Sequence, residues 1–115
     1  MSQQVVTTSK KILIKYVRLH DLFPKMVPFD LSRQPVGAIV ALSPDNIGWS
    51  KCNSKDRFSK DMAVKVASGR ALYNVPLVHV NAVTGKIESG LPVECLAAYE
   101  ELMQQMKVRA DKYFR

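Results

Sequence analysis

Six basic side chains, Lys51, Lys55, Arg57, Lys60, Lys65 and Arg70, and two acidic ones, Asp56 and Asp61, crowd into the segment Gly48–Tyr73. That segment therefore carries +4 of the chain's formal +7 at pH 7. The chemistry open to such a cluster is anion binding. Arg57 and Arg70 stand out, because a guanidinium offers phosphate a flat fork of donors and also stacks on rings, whereas a lysine is a hydrated point charge. Lys11, Lys15 and Lys65 read as solvated faces. Phe58 suits either of two roles, a stacking platform for a base or an anchor in the core, and Trp49 has the same two options. Asn53, Ser54 and Ser59 are residue types that accept hydrogen bonds from the free N–H groups of a first helical turn. The start of a helix also carries partial positive charge, so Lys and Arg placed there favour an anion. These features define an anion-binding module without naming the anion.

Catalytic chemistry finds little support. His20 and His79 have no nucleophile beside them in motif form, and no zincin, phosphate-loop or dinucleotide fingerprint occurs. Cys52, next to Lys51 and a helix start, has surroundings that lower a thiol pKa, but a half-buried structural cysteine is the plainer reading. Cys52 and Cys95 are the only cysteines and lack metal-ligand spacing, which argues against a zinc site or a disulfide framework and fits a reducing cytoplasm. We therefore expect a non-enzymatic cytoplasmic protein with no cofactor and no metal.

The elements that must position these residues follow from periodicity. Lys10–Arg18 alternates, with Ile12, Ile14 and Tyr16 on one face and Lys11 and Lys15 on the other, as in a half-exposed strand. His20–Gln34, bounded and interrupted by prolines, reads as an irregular connection. Val36–Leu42 is a nearly continuous apolar run and the best central strand. Ser43-Pro44-Asp45-Asn46 is a turn, and Ile47–Cys52 returns as its hairpin partner. The helix after the polar turn places Phe58, Met62, Val66 and Tyr73 at roughly helical spacing, with Ala63 and Ala67 beside them. Asn74–Pro76 breaks it. Pro76–Asn81 is a short strand, and a second turns back around Thr84-Gly85. Gly90-Leu91-Pro92 opens the last helix, where Leu96, Tyr99, Met103, Met106, Ala110 and Tyr113 form an apolar stripe. Its early glutamates and late Lys107, Arg109, Lys112 and Arg115 complement the helix dipole. The sum is an α+β fold: an antiparallel sheet of about four or five strands with two helices, the longer one C-terminal. Residues 1–9 read as a flexible tail, and 10–115 as a single domain.

At 115 residues the chain can bury a sizeable core without metals or disulfides. Its pI of about 9.6 favours polyanionic partners. No apolar run approaches the ~18 residues that span a bilayer, and no signal-peptide core is present at the start, so a membrane partner is not expected. The stripe Leu96–Tyr113 is longer than one small sheet readily covers, which predicts a homo-oligomer.

Gly48, Cys52, Asp56 and Phe58, followed by Ala67, Gly69, Arg70 and Ala71, stand here as G-W-S-K-C-N-S-K-D-R-F and A-S-G-R-A. This order resembles the phage anti-Thoeris sponge family, the first anti-defence type. Those proteins are small, with an N-terminal sheet and C-terminal helices, and they sequester cyclic ADP-ribose-type signals without catalysis. The resemblance implies capture of a cyclic nucleotide immune signal, which would block host anti-phage defence. Arg57 and Arg70 would pair with pyrophosphate, with backbone N–H groups near Ser54–Asp56 as further donors. Phe58 would stack on adenine, Asn53 or Asp56 would read ribose hydroxyls, and Arg109 would close the site from a neighbouring subunit. The alternative class is a basic nucleic-acid-binding or host-protein-inhibiting phage protein, with the first helix or the late basic run of the last one on phosphates.

Overall fold

The computed structural model describes residues 11–23, 25, 33–52 and 57–114. The expected tail 1–9 lies outside these residues. Strand β1 (Leu13–Arg18) leads into a one-turn helix α1 (Leu19–Leu22), and then come β2 (Pro35–Ser43), β3 (Asn46–Lys51), helix α2 (Lys60–Leu72), β4 (Val78–Val80), β5 (Ile87–Ser89) and helix α3 (Val93–Tyr113). The fold is α+β with antiparallel pairing throughout the described strands, and its longest helix is C-terminal. The five strands divide between two sheets: β1-β2-β3, with the apolar run of β2 at its centre, and a separate β4-β5 hairpin.

Register assigns the two faces of the main sheet. Leu13, Lys15 and Val17 stand opposite Ala41, Ile39 and Gly37, which in turn face Ile47, Trp49 and Lys51. This face packs on α3 through Tyr99, Met106 and Cys95, among the most deeply buried side chains of the core. The other face, with Ile14, Tyr16, Ala38 and Val40, packs on α2. β1 is half-buried along most of its length, as its alternation predicts. Val17, on the same face as Lys15, is completely buried, while Lys15 reaches out to Asp21 at 3.9 Å. Burying Ile39, Met106 or Val17 stabilises the fold by about 1.5–3 kcal/mol each.

The two long helices meet the sheet by different means. α2 turns Ala63, Ala67 and Ala71 inward, spaced by four, and leaves Met62 57 % and Tyr73 78 % exposed. The bulky residues that suggest an apolar stripe are thus mostly on its outer side. Small residues win because the helix lies so close to β3: a Cβ at Gly48 would sit 1.9 Å from the Ala67 carbonyl oxygen and 2.3 Å from the Ala71 nitrogen. Gly69, farther along α2, faces open space, with nothing within 4 Å of where a Cβ would stand.

On α3 the buried line is Cys95, Tyr99, Leu102, Met106 and Ala110, with Leu96 and Met103 only partly buried beside it and Tyr113 41 % exposed. The sheet and α1 cover this line within one chain, so it needs no second copy to bury it. Tyr99 crosses the core to donate a 2.7 Å hydrogen bond to the Ser50 carbonyl. A Cβ at Gly37 would lie 2.3 Å from that hydroxyl, so the path exists only beside glycine. Gly48 and Gly37 are space-makers; at Gly85 the backbone itself (φ +73°) calls for glycine in the β4–β5 turn.

Candidate functional site

Helix α2 begins where Ser59, extended in backbone, accepts a 3.3 Å hydrogen bond from the Met62 N–H. This cap directs the preceding residues, Arg57 and Phe58, toward the C-terminal end of β3. Two polar side chains of β3 then hold the helix along its length. The Ser50 hydroxyl donates to the Ala63 carbonyl at 2.8 Å, and the Asn46 amide donates to the Ala71 carbonyl at 3.1 Å. Asn74, in the left-handed region at φ +53°, ends the helix with its N–H on the Ala71 carbonyl.

Between the helix start and the end of β3 lies a groove of about 410 Å³. Phe58, Met62, Val66 and Ala63 supply its apolar lining, Ser50, Cys52 and Ser59 its neutral polar groups, and Lys51, Arg57 and Arg70 its cations. Arg57 is exposed and Phe58 half-buried, packed against the cluster of Ala38, Val40, Ala63 and Ala67. An apolar lining rimmed by three cations suits a ligand that has both a flat ring and negative charge.

Arg70 is more than a rim charge. Its Nη1 donates to the Trp49 carbonyl at 2.9 Å, and its guanidinium lies 3.8 Å from the centre of the Trp49 ring. β3 is an edge strand, and Arg70 wraps over that edge, satisfying a carbonyl that would otherwise face solvent. Partial burial holds the guanidinium below its ordinary pKa, an effect that nearby Tyr99 opposes. Trp49 is 3 % exposed, donates its indole N–H to the Val75 carbonyl at 3.3 Å and meets Tyr99 edge-on. It is a core residue, and the stacking role that its type alone leaves open falls away.

Of the residues that the sequence suggests for a site, Arg57, Phe58 and Arg70 come together in the groove. Asn53, Asp56 and the backbone of residues 54–56 lie outside the described residues. Arg109 is exposed on α3, across the sheet from α2, and does not line the groove. Lys51, Met62 and Val66 complete the lining. In the sequence Lys51 stands out only as charge. Met62 and Val66 fit a buried stripe by hydrophobicity, although the Ala63-Ala67-Ala71 spacing is itself a sign that the helix has another inward face.

Several residues behind the family resemblance have scaffold roles here. Gly48, Ala67 and Ala71 make the close strand–helix contact, and Arg70 covers Trp49. Comparison with protein-family models, curated proteins and solved structures finds no match for the chain. Among the described residues no group of three or more His, Cys, Asp or Glu is arranged to hold a metal ion, and no helix is long and apolar enough to cross a membrane.

Proposed function

We propose that the protein captures a small anionic nucleotide, of the cyclic ADP-ribose type, in the groove between β3 and α2, and does so without catalysis. In a phage-infected cell that capture withholds an immune signal from host defence. The observation that carries the proposal is the pairing of exposed Met62 and half-buried Phe58 with Lys51, Arg57 and Arg70 around one concave surface. Apolar side chains left open beside cations give a nucleotide a ring platform and a phosphate site together. Stacking on an aromatic side chain contributes about 1–3 kcal/mol per base. A charge-assisted hydrogen bond adds about 1.5–3 kcal/mol. Nanomolar capture needs about 12 kcal/mol, so several such contacts must act at once.

A homo-oligomer enters this proposal only through Arg109, which would have to reach the groove from a second copy. Light scattering that shows a 12.9 kDa particle at micromolar concentration removes Arg109 from the site.

Calorimetry with cyclic ADP-ribose and with a short DNA duplex, at two salt concentrations, tests the proposal. Cyclic ADP-ribose should bind with weak salt dependence, and Arg57→Lys should weaken it by about 1–3 kcal/mol, because the charge stays while the forked donor goes. Duplex binding that falls steeply with salt, with no nucleotide binding, would transfer the protein to the nucleic-acid-binding class.

A further inference from the structure

The groove has a neighbour. A second cavity, also of about 410 Å³, lies on the α3 side of the end of β3, and Lys51, Cys52 and Phe58 line both. Its other walls differ in character. Leu22, Phe23 and Val36 are apolar, while Gln34 and Glu94 are the polar groups it does not share. Lys51 is its one lysine or arginine among the described lining, and Glu94 brings a negative charge. Lys51 and Glu94 both lie near enough to Cys95 to act on its thiol in opposite senses, which places cation and carboxylate at one end of α3.

We propose that this cavity is the second half of the ligand site, taking an uncharged, hydroxyl-bearing ring of a nucleotide whose phosphates lie on the groove side. The inference rests on the nucleotide-capture proposal above and assigns its ligand a shape. Each cavity alone falls in the roughly 300–1,000 Å³ range of small-molecule sites, so the pair accommodates a ligand with a lobe on either side of its phosphates. Charge sets the direction. Arg57 and Arg70 stand only on the groove side, Lys51 stands at the junction, and Glu94 would repel a phosphate placed beyond it. The Glu94 carboxylate accepts hydrogen bonds from sugar hydroxyls, and the Gln34 amide both accepts and donates. A ligand that ends in phosphate fills one half; a ligand with phosphates flanked by ring groups on both sides fills both.

ADP and ADP-ribose separate these cases, because they share the adenosine diphosphate and differ in the terminal ribose. Calorimetry on the full chain should give ADP-ribose about tenfold tighter binding than ADP, although ADP carries more negative charge. Gln34 and Glu94 are both exposed, so their substitution leaves the core intact. Gln34→Trp fills the second cavity from its rim and should bring ADP-ribose down to the affinity of ADP, with ADP itself unchanged. Glu94→Ala should lower ADP-ribose affinity several-fold and again leave ADP alone. Equal wild-type affinities for the two ligands, or equal losses for both in Gln34→Trp, would overturn the second half of the site and leave the groove standing. Binding of neither ligand would overturn this inference, and the groove falls with it only if cyclic ADP-ribose also fails to bind.

Discussion

The two faces of the main sheet hold their helices in opposite ways. On the α3 face the contact is made by volume: Tyr99, Ile39, Met106 and Trp49 interlock, and one buried hydroxyl finds a carbonyl. On the α2 face it is made by the lack of volume, as Gly48 meets Ala67 and Ala71 and two strand side chains clamp helix carbonyls. The difference has a functional side. A helix that needs only alanines to pack is free to carry Met62, Val66 and Arg70 outward, and those residues line the groove. A helix that commits its large residues to the core, as α3 does, has few left for a ligand.

The comparison breaks first on size changes. Trp49→Ala removes a ring packed from the α3 side and covered by Arg70, and should cost about 3–5 kcal/mol in urea unfolding, the usual range for deleting a large buried aromatic. The opposite change probes the other face. Gly48→Ala adds one carbon against helix backbone that cannot rotate away, and should cost about 1–3 kcal/mol by overpacking. A Gly48→Ala protein with an unchanged unfolding midpoint would mean that α2 sits farther from β3 than this contact requires.

Tyr99→Phe sharpens the account of the α3 face. It keeps the ring but removes the hydroxyl's bond to the Ser50 carbonyl, and at neutral pH about 1 kcal/mol should be lost. The pH dependence follows from burial. Burial pushes the Tyr99 phenol well above its ordinary pKa, and burial likewise raises the Cys95 thiol, which Lys51 partly opposes. Both groups hold their protons more tightly when folded. The stability they confer is complete below their ordinary values, about 8.5 for cysteine and about 10 for tyrosine, and declines as pH rises beyond them. Unfolding midpoints measured from pH 8 to 11 should fall, and above pH 10 they should fall less steeply in Tyr99→Phe.

Smaller effects are expected on the outer side of α2. Arg70→Ala should cost about 1 kcal/mol through the lost Trp49 carbonyl bond and ring contact, as well as weakening ligand capture. Gly69→Ala, mid-helix with nothing near the new carbon, should instead stabilise by about 0.5–1 kcal/mol. Thermal melts of the two variants side by side separate a residue with a scaffold role from a neighbour that has none.

Much of the architecture is legible from local rules. Val36–Leu42 reads as a buried central strand because it is long and apolar, and Ser43-Pro44-Asp45-Asn46 reads as its turn because of the torsions these residues accept. Ser59 can be named among the caps, and Pro92 placed at the start of α3, because caps depend on nearest neighbours. Arg57 and Phe58 are legible as candidates for the same reason: a polar turn before a helix exposes side chains of mixed type.

What sequence does not supply is which of two apolar patterns on one helix faces inward. Met62, Val66 and Tyr73 compete with Ala63, Ala67 and Ala71, and hydrophobicity favours the former. The outcome depends on Gly48, a residue on another element, whose missing side chain lets β3 approach until only alanines fit. Arg70 follows the same logic. Its type and position suggest a phosphate ligand, but only the tertiary structure sets it over the Trp49 ring and on the Trp49 carbonyl at an open sheet edge. Composition and periodicity determined the strands, the two long helices and the basic segment, since those depend on short-range preference, but not the one-turn helix α1. The close approach of two backbones decided the inward face of α2, and with it the groove, because steric exclusion acts between residues far apart in the chain.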